Sequence, residues 1–208
     1  MKKTFLFTVS VFLCLSLMAQ PKPNSFFAGG SFRLYTEKDK NKDGGTTTED
    51  LSRTSFNIYP DAGYFLSDKF AVGAEIGLGT QTAKNPNSTY NTKQSQTRFN
   101  FTPYARYYFI NQKFGLFAEW SMGIAFGNIK EYYTTAPTDK TKTTNFSLGV
   151  SPGMYYSVSD HLMLESTIGW FGFSSVRYKY SDSSSDIYNE FDMDLSSTDI
   201  SLGLTWIF

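Results

Sequence analysis

Apolar and polar residues alternate along most of this chain. Residues 70–79, FAVGAEIGLG, put Phe70, Val72, Ala74, Ile76 and Leu78 on one face and Ala71, Gly73, Glu75, Gly77 and Gly79 on the other. Residues 114–127 repeat the pattern, with Phe114, Leu116, Ala118, Trp120, Met122, Ile124 and Phe126 against Gly115, Phe117, Glu119, Ser121, Gly123, Ala125 and Gly127. A period of two is that of a β-strand, and no helical period competes with it. Eight such segments can be drawn, near 26–36, 54–66, 70–82, 96–110, 114–128, 144–157, 161–175 and 196–208. The links at Ser67-Asp68-Lys69, at Asn111-Gln112-Lys113 and near Ser157 to Asp160 are tight. Those near 37–53, 83–95, 129–143 and 177–195 are long and polar. An even strand count, alternating link lengths and both termini on the short-turn side predict an all-β fold. It is an eight-stranded antiparallel up-and-down transmembrane β-barrel.

The two faces say which side meets lipid. No apolar-face position is charged, whereas the glycine-rich faces carry Arg33, Asp61, Glu75, Arg106, Glu119 and Glu165. A water-soluble sandwich would turn its glycine-rich faces to solvent, where Lys and Glu are expected instead. Bulky residues against hydrocarbon and small or polar ones in a crowded lumen account for both faces, and closure removes edges that lipid cannot satisfy. Five of the six charges lie five or six residues in from the short-turn ends, and Arg33 lies about eight in. They are expected to form one lumen belt of paired charges, because an unpaired buried charge is costly. The belt reads as a plug of salt bridges; its excess of acids leaves a narrow polar conduit as the alternative.

Pro60, Pro103 and Pro152 fall on the outward faces of even strands and are expected at bulges or bends, since proline lacks the ladder N–H. Aromatic residues gather at the short-turn ends (Tyr64, Phe65, Phe70, Tyr107, Tyr108, Phe109, Phe114, Tyr155, Tyr156, Trp206 and Phe208), as a headgroup-level girdle would require. Tyr35, Phe99, Phe126, Tyr132, Tyr133, Tyr178 and Tyr180 are candidates for a second girdle.

Composition narrows the function. Nineteen basic residues balance nineteen acidic ones, which gives no electrostatic case for nucleic acid. One histidine and one cysteine exclude any metal site needing several of either, and any disulfide within the chain. The first residues, MKKTFLFTVSVFLCLSLMAQ, have a basic start, an uncharged apolar stretch from Thr4 to Met18 and a small residue at Ala19. They read as a signal peptide over 1–19, too short to span a bilayer, ahead of a single barrel domain over 20–208.

At the other end, Ser201, Gly203, Trp206 and Phe208 are spaced like the signal that outer-membrane β-barrels present to their assembly machinery. With the alternation and loop plan, residues 26–208 resemble the OmpA/OmpX-like class of small Gram-negative outer-membrane barrels. That resemblance implies the outer membrane as location, outer-membrane lipids and the barrel-assembly machinery as partners, and no cofactor. It also implies a non-catalytic role in which four loops meet an extracellular protein or glycan, or support envelope integrity. A narrow porin-like channel, or a lateral path for small solutes, is the second reading.

Three other features invite chemistry. Asp39, Asn41, Asp43 and Asp50, around Gly44, resemble the start of a calcium loop, but flanking helices are missing and Thr46 replaces the usual apolar residue. Asp182, Asp186, Glu190, Asp192 and Asp194 make the last long link acidic. His161, the only imidazole, falls at the third tight turn, and without it on the loops no Ser–His–acid arrangement can be built. The calcium and acidic sites read best as solvated tips, and no metal or catalytic residue is assigned.

Overall fold

The computed structural model describes residues 23–43, 46–85, 91–110, 112–133, 138–194 and 200–208, with no helix among them. The expected leader, 1–19, lies outside the described residues. Ten strands follow one another: β1 (Phe26–Asp43), β2 (Thr46–Ser67), β3 (Phe70–Lys84), β4 (Asn91–Tyr108), β5 (Phe114–Tyr133), β6 (Asp139–Ser157), β7 (Leu162–Ile168), β8 (Trp170–Lys179), β9 (Ser185–Asp194) and β10 (Ile200–Ile207). Strands β1 to β6 pair with their sequence neighbours. β6 then pairs with both β7 and β8, which sit end to end as one wall strand. β9 pairs with β8 and β10 with β7, forming a second composite strand. A ladder from Phe27↔Ile207 to Ser31↔Gly203 joins β1 to β10 and closes an eight-stranded antiparallel barrel.

The wall strands are longer than the alternation alone suggested. β2 has 22 residues and β5 has 20, where a bilayer needs only about 9–11 per strand. The expected long links are therefore mostly hairpin ladder. The acidic link expected over 177–195 is the clearest correction. It folds as the β8–β9 hairpin, because Ile187, Phe191 and Met193 keep the outward alternation beneath its acidic composition. Its turn places Ser183 at φ 72°, and Asp182 accepts hydrogen bonds from the Ser184 amide (2.9 Å) and hydroxyl (2.6 Å).

The seventh wall strand, expected as one segment over 161–175, breaks at Gly169. That residue has φ 69°, a left-handed backbone that suits glycine. Register moves from Gly153↔Thr167 below the break to Val150↔Phe171 above it, so the strand gains one residue there, as at a β-bulge. Above the bulge the facing is reversed: Phe171 and Phe173 point outward and Trp170 points in, over Gly149 and Gly172. Pro152 lies beside this bulge. Pro60 and Pro103, expected at bulges or bends, mark no bulge. Register runs unchanged from Ile58↔Leu78 to Asp61↔Glu75, and from Phe101↔Ile124 to Tyr104↔Ser121. Local ladder pairs drop out at these prolines, but the flanking pairs hold the register.

Side chains sort by parity as the alternation requires. Phe32, Leu34, Leu78, Phe126 and Leu148 are exposed on the outer surface, and their neighbours in sequence turn inward. What parity adds is an aromatic floor at the short-turn end. Phe65, Tyr108 and Tyr155, expected in the outer girdle, face the bore instead and are buried with Phe27, Phe117, Met163 and Ile207. Ring centroids are 5.1 Å apart for Phe27–Phe65, 5.7 Å for Phe65–Tyr108, 5.6 Å for Tyr108–Phe117 and 5.4 Å for Tyr108–Tyr155. Inward glycines make room for the rings: a Cβ at Gly63 would overlap Phe27, and one at Gly153 would overlap Phe117. The Tyr155 hydroxyl donates to the Ile110 carbonyl (2.9 Å), tying the second tight turn to the floor. Each fully buried ring adds about 1.5–3 kcal/mol. The outer girdle keeps Tyr64, Tyr107, Phe114, Tyr156 and Trp206.

Candidate functional site

Above the floor, inward positions of β2, β3, β4, β5 and β7 bring together Asp61, Glu75, Arg106, Glu119 and Glu165, five of the six charges that parity predicted. Arg106 is the hub. Its Nε donates to Glu119 Oε2 at 2.6 Å and its Nη1 to Glu165 Oε2 at 2.7 Å. The guanidinium also lies 4.6 Å from the Tyr104 ring centroid and 5.1 Å from that of Phe117, so the charge network rests on the aromatic floor. Asp61 accepts a short hydrogen bond from the Tyr104 hydroxyl, a partner the sequence did not announce. Asp61 and Glu75 are cross-strand partners on β2 and β3. Among the described residues, Arg106 is the one arginine lining this level, and the acid excess expected from the sequence is present. The space left between these side chains is about 70 Å³, room for a few waters and no more.

Arg33 does not join the belt. It pairs with Asn57, four residues along β2 from Asp61, because wall strands are tilted and a residue eight in from its turn sits higher than one five in. Instead it lines an upper cup of about 400 Å³ with Arg53 and Arg98, beside Tyr59, Asn57 and Gln96. Arg53 pairs with Glu37 at 3.6 Å. The parity rule held both extra arginines, since Arg53 and Arg98 share the inward phase of Asp61 and Arg106. Arg53 lies just outside the segment drawn at 54–66, whereas Arg98 lies inside the one drawn at 96–110 and its parity was already legible there.

The cup lies beside a seam. Above Ser31, β1 keeps its ladder with β2, but among the described residues no ladder joins its other edge to β9 or β10. β9 is exposed on both faces from Ser185 to Met193. Among the described residues, the barrel is therefore closed by a ladder at the short-turn end, and the β1 edge above Ser31 has no ladder partner.

The remaining candidates fall in separate places. Asp39, Asn41 and Asp43 belong to β1 and Asp50 to β2, within an antiparallel ladder that ends at Asp43↔Thr46, rather than a coiled ion-binding loop. Their side chains lie outside what is described. Of the acidic run, Asp186, Glu190 and Asp192 have the inward parity of β9, and Asp182 sits in its turn. Hydrogen bonds from Ser184 hold the exposed Asp182 carboxyl below the usual carboxylate range. His161 is at the third tight turn, as expected, and works structurally. Its Nδ1 is 2.8 Å from the Ile207 carbonyl, its ring stacks on Trp206 at 5.7 Å, and its own carbonyl accepts from the Ile207 amide. The C-terminal pattern splits across the wall: Ser201 and Gly203 face inward, with Ser201 bonded to Thr167, while Trp206 and Phe208 are exposed outside.

Comparison with known proteins agrees with this architecture. No curated protein sequence matches the chain. Among solved structures, the outer membrane protein OprG from Pseudomonas aeruginosa superposes with a TM-score of 0.56 at 12% identity, covering 92% of this chain and 99% of its own. The Neisserial surface protein A covers 88% and 97% at 14% identity, with a TM-score of 0.44. The family model for the outer membrane protein beta-barrel domain matches residues 5–208, so the chain belongs to that family.

Proposed function

We propose that this protein is a non-catalytic integral barrel of the Gram-negative outer membrane, plugged through its lower bore, that works through its outward hairpins. One observation carries this reading. The aromatic floor and the Arg106–Glu119–Glu165 network succeed one another along the bore, leaving about 70 Å³ between them. Water and ions need a continuous polar path, and stacked rings beneath a doubly paired guanidinium offer none. The upper β1–β2, β3–β4, β5–β6 and β8–β9 hairpins extend past what a bilayer requires and are the surface left for a partner, protein or glycan. Planar-bilayer recording tests the plug: the purified barrel should give no steady unitary currents. Steady currents abolished by Glu75→Gln or Glu119→Gln would overturn it.

The seam favours a second reading, a lateral path for small solutes. Arg33 and Tyr35, on the part of β1 whose far edge has no ladder among the described residues, also line the arginine cup, so a solute entering from above would reach that edge without crossing the plug. Proteoliposomes test this separately. Uptake of a small carboxylate, lowered several-fold by Arg98→Gln, would support it, and rates equal to protein-free vesicles would dispose of it.

A further inference from the structure

Followed past the apolar band on the β5–β6–β8 wall, the same parity sorts charge by sign. On the outward face, above Phe126, Phe146 and Phe173, stand Lys130, Lys140, Lys142 and Lys179 on the adjoining strands β5, β6 and β8. Acids at this height turn inward: Glu131 accepts from Gln94 (2.8 Å) and Tyr133 (2.6 Å), and Asp139 is its cross-strand partner. Lys130 lies directly opposite Lys140, and Lys142 directly opposite Lys179. Like charges facing each other across a ladder are unfavourable on their own. Among the described residues none of the four makes an ion pair, and all four are exposed. They frame one open depression of about 640 Å³, with Thr97 and Asn128 on its wall. Arg177 stands next to it on the same face, opposite Thr144.

Height identifies what meets this patch. Lys142 is four residues beyond Phe146, roughly 13 Å along the strand at about 3.3 Å per residue, and less along the normal because the strand is tilted. Thr144 and Ser175 fill the step between. Lysine stems reach back along the wall while their ammonium groups stay in the headgroup layer. On the β5–β6–β8 wall the outward row changes from Phe126, Phe146 and Phe173 to polar and basic positions, so the anions that meet the lysines are headgroup phosphates, as for basic clusters at other membrane surfaces.

We propose that the depression framed by Lys130, Lys140, Lys142 and Lys179 binds the phosphates of a phosphorylated glycolipid headgroup in the leaflet on the long-hairpin side. The inference rests on the outer wall and stands whether or not the bore conducts.

The test uses the full barrel in detergent, exchanged into nanodiscs doped with phosphorylated lipid A, enzymatically dephosphorylated lipid A or phosphatidylglycerol. Native mass spectrometry then counts retained lipid. The parent should retain phosphorylated lipid A at least ten-fold over the dephosphorylated form and over phosphatidylglycerol. The variant K130Q/K140Q/K142Q/K179Q should lose that preference while keeping the gel-mobility difference between unheated and boiled barrel. A short-turn-side control, K69Q/K113Q, should keep the preference. Equal retention of the two lipid A forms, equal retention by the four-lysine variant, or a phosphatidylglycerol signal as strong as lipid A would each overturn the proposal. So would displacement of the lipid by millimolar inorganic phosphate, which would mark a site for a free anion.

Discussion

Replacing Arg106 by leucine should damage this barrel more than removing either acid it holds. Its side chain is 10% exposed and bonds two carboxylates, Glu119 and Glu165, that are 16% and 8% exposed. Without the guanidinium, two buried acids face each other across the bore with no countercharge, and breaking a buried pair in this way costs about 3–5 kcal/mol. At a urea slope of about 1–3 kcal/mol per molar, the unfolding midpoint should fall by about 2 M. Equilibrium urea unfolding in detergent micelles, followed by tryptophan emission and by the mobility of unheated barrel on gels, reads the shift. The neutral variant Arg106→Leu/Glu119→Gln/Glu165→Gln separates charge from packing. It should regain most of the loss, because carboxamides can bury with far less penalty than orphaned carboxylates. A single variant within about 0.5 kcal/mol of the parent, the range of ordinary surface changes, would refute a load on Arg106. A triple variant no better than the single one would move the cost from charge to shape.

Met122→Arg, on the outward face of β5 near the middle of the apolar row from Phe114 to Phe126, should cost about 2–4 kcal/mol near the midplane in the same urea assay. Asp160→Arg, in an exposed tight turn, should be nearly silent; equal tolerance at both positions would mean that the facing is wrong. His161→Ala removes the Ile207 carbonyl contact and the Trp206 stack, so it should lower stability by about 1 kcal/mol. Mass spectra of lipid A from cells carrying that variant should be unchanged, since the ring supports the C-terminal strand rather than a reaction. Brominated acyl chains should quench Trp120 and Trp206 and spare Trp170. The test is a Trp120→Phe/Trp206→Phe barrel, whose remaining emission should stay unquenched; strong quenching would place Trp170 outside.

Much of this was legible in the sequence because facing in a barrel wall is a parity rule, and the rule is strict wherever one face must avoid charge. It put Asp61, Glu75, Arg106, Glu119 and Glu165 into one bore. Height was harder to read. Counting from turn ends ignores strand tilt, so Arg33 looked level with Asp61 when it pairs with Asn57. Two readings failed through composition. Phe65, Tyr108 and Tyr155 were grouped with the girdle because rings cluster at membrane interfaces, although their parity matches Asp61, Arg106 and Gly153 inside the bore. Residues 185–194 looked like a loop because they are acidic, while three of their odd positions, Ile187, Phe191 and Met193, remained apolar. The reversal at Gly169 had no such signal: a single glycine in a glycine-rich wall does not declare that it adopts φ 69°.

The two ends of the barrel divide the work. At the short-turn end, a ladder joins β1 to β10, the Arg106 network ties β4 to β5 and β7, His161 holds β10, and the aromatic floor spans these strands. They overlap, so the loss of one leaves the ring closed. Toward the long hairpins, the β1 edge lacks a ladder partner among the described residues, the arginine cup is open, and the outward lysines face one another in pairs. Each of these is unfavourable for folding alone, and each becomes favourable when something fills it: an anion in the cup, or phosphates between the lysines. Regions that bind are drawn from the less stable part of a structure, because only there does a partner's contact change the balance. A barrel that needed only to persist would have carried its mixed charges on both faces at the top, as any solvated hairpin does. This one turns its acids in and its lysines out, and that separation costs stability unless the leaflet around it supplies the missing anions.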